Sequence, residues 1–218
     1  MSEATWLLVI PSVKPSWSRQ AISTLKGDGS VDFRYLVVDN TKFNYGVSGS
    51  WNLGADQVIK DKIDWLIICS ESMRFGPNGA ADIQRHLTNA SKDTMVVEAD
   101  NGIGWHLIAF RRELLETVGY FEELFFPAYF EDNDYSYRYN LAHKDYPQWE
   151  WHKVPIDATL LGVAQGILHI KENIQFVDLK ELYTKKWGGS PKEKFKYPYN
   201  DKRLDYRYAQ RIRREPCE

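Results

Sequence analysis

The sequence predicts an α/β domain built around a mainly parallel sheet. Two observations predict it. Short apolar runs bounded by turn residues recur from residue 6 to about residue 110, and segments of helical spacing alternate with them. The runs are continuously apolar, with no in-out alternation, as strands covered by helices on both faces require. In such sheets ligands bind beyond the carboxyl ends of the strands, so the residues that close each run are the first candidates for function.

Residues 6–10 form the first run, Trp-Leu-Leu-Val-Ile, closed by Pro11. Ser16 or Ser18 is placed to cap a helix through about Leu25. A turn at Gly27-Asp28-Gly29 leads to a second strand, residues 35–38, which ends on Asp39-Asn40. A helix is expected over residues 50–60 and a third strand over 64–69, ending at Ser70-Glu71-Ser72. Further expectations are a helix over 80–88, strands over 95–97 and 107–110, a helix over 112–118 stopped by Gly119, and a helix over 134–142. From about Lys171 the periodicity weakens and Lys, Tyr, Gly and Pro rise. The expected division is therefore a domain over residues 1–170 and an extension over 171–218 that packs on the core as a lid or an acceptor contact.

Composition narrows the function classes. With 218 residues, 43% apolar and 27% charged, the chain is ordinary for a soluble globular protein. No run approaches the roughly 18 apolar residues of a membrane span, and the first strand is too short for an export signal. Cys69 and Cys217 offer neither a disulfide framework nor a metal spacing, which fits a reducing, cytoplasmic compartment. Residues 171–218 carry 13 Lys/Arg against 8 Asp/Glu, so the net charge of −2 hides an acidic main domain and a basic tail. Arg207, Arg211, Arg213 and Arg214 are spaced for one helical face, suited to phosphates or to an acidic partner, or simply to water.

The densest chemistry lies in Phe130-Glu131-Asp132-Asn133-Asp134, walled by aromatics and followed by Arg138. Carboxylates so crowded raise one another's proton affinity unless cations or hydrogen bonds hold them. That setting suits a base that takes a proton from a hydroxyl. Asp134 and Arg138 are spaced for an i,i+4 pair on one helical face.

In their order these pieces resemble family 2 glycosyltransferases, which have the GT-A fold, over residues 6–142. The residues that carry the resemblance are Leu8-Val9-Ile10-Pro11-Ser12, Val38-Asp39-Asn40, the glycine and asparagine element Asn44, Gly46, Asn52 and Gly54, Gly119-Tyr120-Phe121-Glu122-Glu123, and Glu131-Asp132-Asn133-Asp134 with Arg138. The resemblance implies an inverting transferase that moves a sugar from a nucleotide diphosphate sugar, a UDP-sugar by preference, to an acceptor hydroxyl. It implies Asp132 as general base, with Glu131 second. It implies donor contacts from Pro11, Ser12, Asp39, Asn40, Gly46 and Asn52. Trp105, in Gly102-Ile103-Gly104-Trp105-His106, is expected either to stack on a sugar ring or to pack in the core. Lys185, in Tyr183-Thr184-Lys185-Lys186-Trp187-Gly188-Gly189, is expected with Lys186 to meet the diphosphate from a hinged loop.

The departure from the family lies at the metal. Relatives hold Mn²⁺ or Mg²⁺ with Asp-x-Asp after the third main strand, whereas this chain has Ser70-Glu71-Ser72. Glu71 is the expected metal ligand and His169 a second candidate, with Arg74 or Lys185 as cationic substitutes for the ion. Two other readings stand beside this one. One is a non-catalytic module that binds nucleotide sugars or glycans. The other is a transferase whose acceptor is DNA or a structural protein held by the basic tail. Sugar, acceptor and oligomeric state are not legible in the residues.

Overall fold

The computed structural model describes residues 4–27, 29, 31–100, 102, 104–161 and 176–189. Its main sheet has six strands: β1 (Trp6–Ser12), β2 (Arg34–Asp39), β3 (Trp65–Cys69), β5 (Thr94–Ala99), β6 (Leu107–Arg111) and β7 (Glu150–Val154). Their order across the sheet is β2-β1-β3-β6-β5-β7. A second sheet pairs β4 (Met73–Phe75) with β8 (Ala158–Leu160), antiparallel. The helices are α1 (Pro15–Lys26), α2 (Gly46–Asp61), α3 (Gly79–Thr88), α4 (Arg112–Val118), α5 (Glu131–Ala142) and α6 (Phe176–Trp187).

The continuous apolar runs are explained by two cores. Leu7 and Val9 of β1, Leu66 and Ile68 of β3, and Ile108 and Phe110 of β6 face one way and pack under α2, α4 and α5. Their neighbours Trp6, Leu8, Ile10, Trp65, Ile67, Leu107 and Ala109 face the other way, under α1 and α3. A strand dressed on both faces has no polar position to spare, and each fully buried large apolar side chain contributes roughly 1.5–3 kcal/mol. At Gly54 α2 lies so close to the sheet that a Cβ would come within 2.2 Å of Val9 Cγ2, so this glycine serves helix packing.

The sheet is α/β and mainly parallel, as the sequence predicts, with one reversed strand. β1 runs parallel to β2 and β3, and β5 parallel to β7, but β6 is antiparallel to both β3 and β5. Residues 100–106 are too few for the crossover of a dozen or more residues that a parallel return needs. The chain turns back instead, with Gly102 and Gly104 at φ of 78° and 54°.

Helices α2 and α5 begin earlier than their spacing suggests, at Gly46 and Glu131. The acidic cluster thus belongs to the first turn of α5, where the helix dipole favours negative charge. β7 and α6 have no counterpart in the predicted elements. Among the described residues, no helix is long and apolar enough to cross a membrane.

Candidate active site

The carboxyl edge of the sheet gathers most of the expected residues. Ser12 pairs with Asp39 across β1 and β2, and the Asn40 N–H donates to the Ser12 carbonyl at 2.8 Å. Because β6 runs backwards, its first residue lies opposite Cys69, and the Ser70 N–H donates to the His106 carbonyl at 2.8 Å. Asp39, Ser12, Ser70 and His106 therefore follow one another along a single edge. Three strand spacings separate its ends, roughly 14 Å.

At one end of this edge a groove of about 600 Å³ opens between α1 and β2. Ser12, Pro15, Arg19, Lys26, Tyr35 and Asp39 are among its walls. The Asp39 carboxylate accepts from the Thr41 hydroxyl at 2.6 Å and the Thr41 N–H at 2.9 Å. These two bonds hold its pKa below the ordinary carboxylate value. It is therefore an acceptor with a fixed direction. Pro11 lies within β1 opposite Val38, next to the groove's first residue.

At the other end stands the acidic loop. Tyr129 and Phe130 both take positive φ, 86° and 70°. That region is sparsely populated for bulky side chains and costs on the order of 1–3 kcal/mol per residue. The strained pair delivers Glu131 and Asp132 at the head of α5. Gly46 makes the approach possible. Its φ is 69°, and a Cβ there would come within 2.9 Å of the Phe126 ring and 3.0 Å of the Pro127 carbonyl. The Val47 N–H donates to that carbonyl at 2.8 Å.

The three carboxyl groups of the loop have different electrostatic fates. Glu131 is 8% exposed, and its Oε2 has no hydrogen-bond partner among the described residues. Burial, reinforced by the charge of Asp132, pushes its carboxyl up to about 8. Burial also raises Asp132, opposed by backbone N–H groups and by the nearby His106. His106 itself is driven below its ordinary value by burial, so the neutral imidazole is favoured beside Asp132. Burial works against ionisation of Asp134 too, but Lys186 and Arg138 outweigh it and hold this carboxylate below the ordinary range. The expected Asp134–Arg138 pair is present, Nε to Oδ2 at 2.8 Å, with both side chains fully buried. His106 was not singled out in the sequence. The one signal it offered was its place after the glycine turn, beside Trp105.

Several expected site residues are engaged in contacts within the fold. Asn40 donates from Nδ2 to Ser50 Oγ and accepts from the Tyr45 N–H, at 3.0 Å each, which ties the end of β2 to the start of α2. Asn52 is 2% exposed and clasps Phe121 and Glu123. Both amides thus take part in bonds that join segments of the fold. Trp105 is partly buried and packs against Trp51, Phe110, Tyr135 and Trp151. Lys185 is exposed on α6, which is a packed helix here rather than a hinged loop. Lys186 is occupied by Glu122 and Asp134. Arg74 is bound to the carbonyls of Glu71 and Met73.

Glu71 also departs from expectation. Its Oε2 accepts from the Ser12 hydroxyl at 2.9 Å and from the N–H groups of Val13 and Lys14 at 3.2 and 2.9 Å. It thus holds the turn that leads into α1, while Ser16 and Ser18, the expected caps, lie inside the helix, whose N-cap position is Lys14 with no side-chain cap bond. The Ser70 and Ser72 hydroxyls are bonded to each other at 2.8 Å. Among the described residues no group of three or more His, Cys, Asp or Glu could hold a metal ion. Glu71 is the one carboxylate of the Ser70-Glu71-Ser72 turn, and its Oε2 already accepts three hydrogen bonds from the protein. His169 and the arginines of the tail lie outside the described residues.

No protein-family model matches the chain, and no curated protein does. Solved structures of similar course include the catalytic domain of Drosophila β1,4-galactosyltransferase 7 in complex with xylobiose, at TM-score 0.47 and 13% identity, covering 63% of this chain and 61% of that one. A mutant of that enzyme in complex with manganese, UDP-galactose and xylobiose gives TM-score 0.44 and 9% identity, covering 63% and 62%. A glycosyltransferase involved in glycosylation of the major capsid of PBCV-1 gives 0.40 and 8%, covering 62% and 67%. This chain thus spans 61–67% of the length of these proteins. At such values the likeness concerns the path of the chain and not its chemistry.

Proposed function

We propose that the protein transfers a sugar from a nucleotide diphosphate sugar to an acceptor hydroxyl. The observation that carries this reading is the adjacent pair Glu131 and Asp132, both buried enough to raise their proton affinity, set beside His106 on the edge that also carries Asp39 and Ser12. A base and a polar groove roughly 14 Å apart on one sheet edge suit a donor whose nucleoside lies at one end and whose sugar lies at the other. Ser12 and Asp39 would orient the nucleoside, with Asp39 accepting from base or ribose. Arg19 and Lys26 are the cations of the groove wall.

Asp132 would accept the proton of the acceptor hydroxyl while the acceptor oxygen attacks the anomeric carbon. The bond from that carbon to the diphosphate breaks, and the nucleoside diphosphate leaves with the electron pair. A single displacement of this kind inverts the anomeric centre. Glu131, whose carboxyl burial pushes up to about 8, would supply a neutral wall beside the base. The resemblance of the motifs to family 2 glycosyltransferases makes a UDP-sugar the first donor to try, and no step is routed through a metal at Glu71.

The poor donor set at Glu71 also favours a second reading, a module that binds nucleotide sugars without turning them over. Thermal shift with a panel of nucleotide diphosphate sugars tests both, since a ligand specific for the native state raises Tm. A shift with at least one UDP-sugar, lost in Asp39→Ala, is expected, together with release of nucleoside diphosphate. A shift without release would select the binding module. No shift with any donor would overturn both readings.

A further inference from the structure

Helix α6 is joined to the acidic loop by polar contacts as well as by packing. Lys186 Nζ donates to Glu122 Oε2 and to Asp134 Oδ1, at 2.7 Å each. Trp187 Nε1 donates to the same Asp134 oxygen at 2.9 Å. The other Asp134 oxygen takes Arg138 Nε, and Arg138 Nη1 donates to the Val118 carbonyl at 3.1 Å. Asp134, Arg138 and Trp187 are fully buried, and Lys186 is 12% exposed. Two anions and two cations are thus closed on one another, which a buried cluster of charges requires.

The apolar side of the contact meets the strained residue. Leu179, Tyr183 and Trp187 bury themselves against Phe125, Phe130 and Leu141. The ring of Phe130, at φ 70°, lies 5.6 Å from that of Tyr183 and 6.4 Å from that of Phe125. Residues held in sparsely populated backbone regions persist only where surrounding contacts over-determine them. For Phe130 a large share of those contacts comes from α6, some fifty residues downstream in sequence.

We infer that α6 is a clamp on the carboxylate loop, and that Lys186 and Trp187 are positioning residues for Glu131 and Asp132. The clamp acts through Asp134, which it fixes two residues beyond Asp132, and through Phe130, which it holds one residue before Glu131. The ionisable groups around it are Glu122, Asp134 and Arg138 in the cluster, with Tyr183, Glu131, Asp132 and His106 nearby. Its catalytic consequence rests on the transferase reading; its structural consequence does not.

The test uses the full chain as wild type, Lys186→Met, Lys186→Arg and Trp187→Phe. Hydrogen exchange needs no substrate. Lys186→Met should speed exchange of amides 129–134 about tenfold while those of β1 and β3 stay protected. Lys186→Arg should restore much of the protection. Trp187→Phe keeps an aromatic ring but loses the Nε1 donor and part of the buried indole, so it is the variant to read should Lys186→Met fail to fold, and it too should loosen amides 129–134 while β1 and β3 stay protected. If wild type turns over a donor, Lys186→Met should lower kcat roughly ten- to a hundredfold, leave donor KM within about twofold, and displace the pH-rate limb, all partly recovered in Lys186→Arg. Unchanged exchange at 129–134 in folded Lys186→Met and Trp187→Phe would overturn the clamp. Faster exchange there in a protein that turns over nothing would uphold the clamp and sink the transferase reading instead.

Discussion

Glu71 Oε2 lies 2.9 Å from the Ser12 hydroxyl, so two residues expected to touch metal and nucleotide are bonded to each other. With the Val13 and Lys14 N–H groups on the same oxygen, the bond joins the turn after β3 to the entry of α1. Hydrogen bonds to a charged acceptor are roughly twice as strong as neutral ones.

Glu71→Gln keeps an acceptor but loses its charge. The expected outcome is a stability loss of about 1–2 kcal/mol by denaturant unfolding. Any manganese-dependent part of the donor-induced thermal shift should match wild type. A variant of wild-type stability that has lost that increment would make Glu71 a metal ligand after all.

Glu131 ties stability to pH. Its carboxyl is raised in the folded protein to about 8, above the ordinary 4.5. The folded state therefore binds this proton more tightly than the unfolded state does. The stabilisation is fully present below the unfolded value and is lost as pH climbs toward the folded one. Glu131→Gln is neutral at every pH. Its Tm should stay near wild type at about pH 4 and exceed it at about pH 9, where the stability difference reaches on the order of a few kcal/mol. Parallel Tm-against-pH curves would show that the Glu131 carboxyl is not buried as described.

Asp132 carries the chemistry in the proposed mechanism, and among the described hydrogen bonds its side chain accepts from Asn133 N–H at 2.8 Å. Asp132→Asn should therefore fold with near-wild-type Tm and bind donor, yet lose transfer by about 10²–10⁴-fold, the usual worth of a positioned base. In wild type, kcat/KM should rise with pH through a limb displaced above the ordinary Asp range, because burial raises this carboxyl. Activity retained in Asp132→Asn and lost in Glu131→Gln would reverse the two roles.

The strands were legible because burial on both faces leaves an unbroken apolar run, as in Trp65–Cys69. The reversal of β6 was not, because the direction of a strand is set by the length of its connection and not by its side chains. β7 escaped notice because it is an edge strand in which Glu150, His152 and Lys153 are exposed. At the site, local features could be read: the strand-end Asp39, the carboxylate run, and the i,i+4 pair of Asp134 with Arg138. Partnerships over long sequence distance could not. Glu71 meets Ser12 across 59 positions and Lys186 meets Asp134 across 52. Nothing in the spacing of either residue told a ligand group from a structural one.

Asn52 shows the same ambiguity and can be tested directly. Its Oδ1 accepts from the Phe121 N–H at 2.9 Å, and its Nδ2 donates to the Phe121 carbonyl at 2.9 Å and to Glu123 Oε1 at 2.7 Å. Phe121 is fully buried, so its backbone groups have no access to water as a substitute. Asn52→Leu keeps the branched shape at somewhat larger volume and removes the three bonds described, and each buried group left unsatisfied costs about 1–3 kcal/mol. The variant should lose roughly 2–4 kcal/mol of stability on that basis. Donor affinity, measured well below its Tm, should stay within about twofold of wild type, since this amide points into the protein. A stable Asn52→Leu that no longer binds donor would return the residue to the nucleotide site.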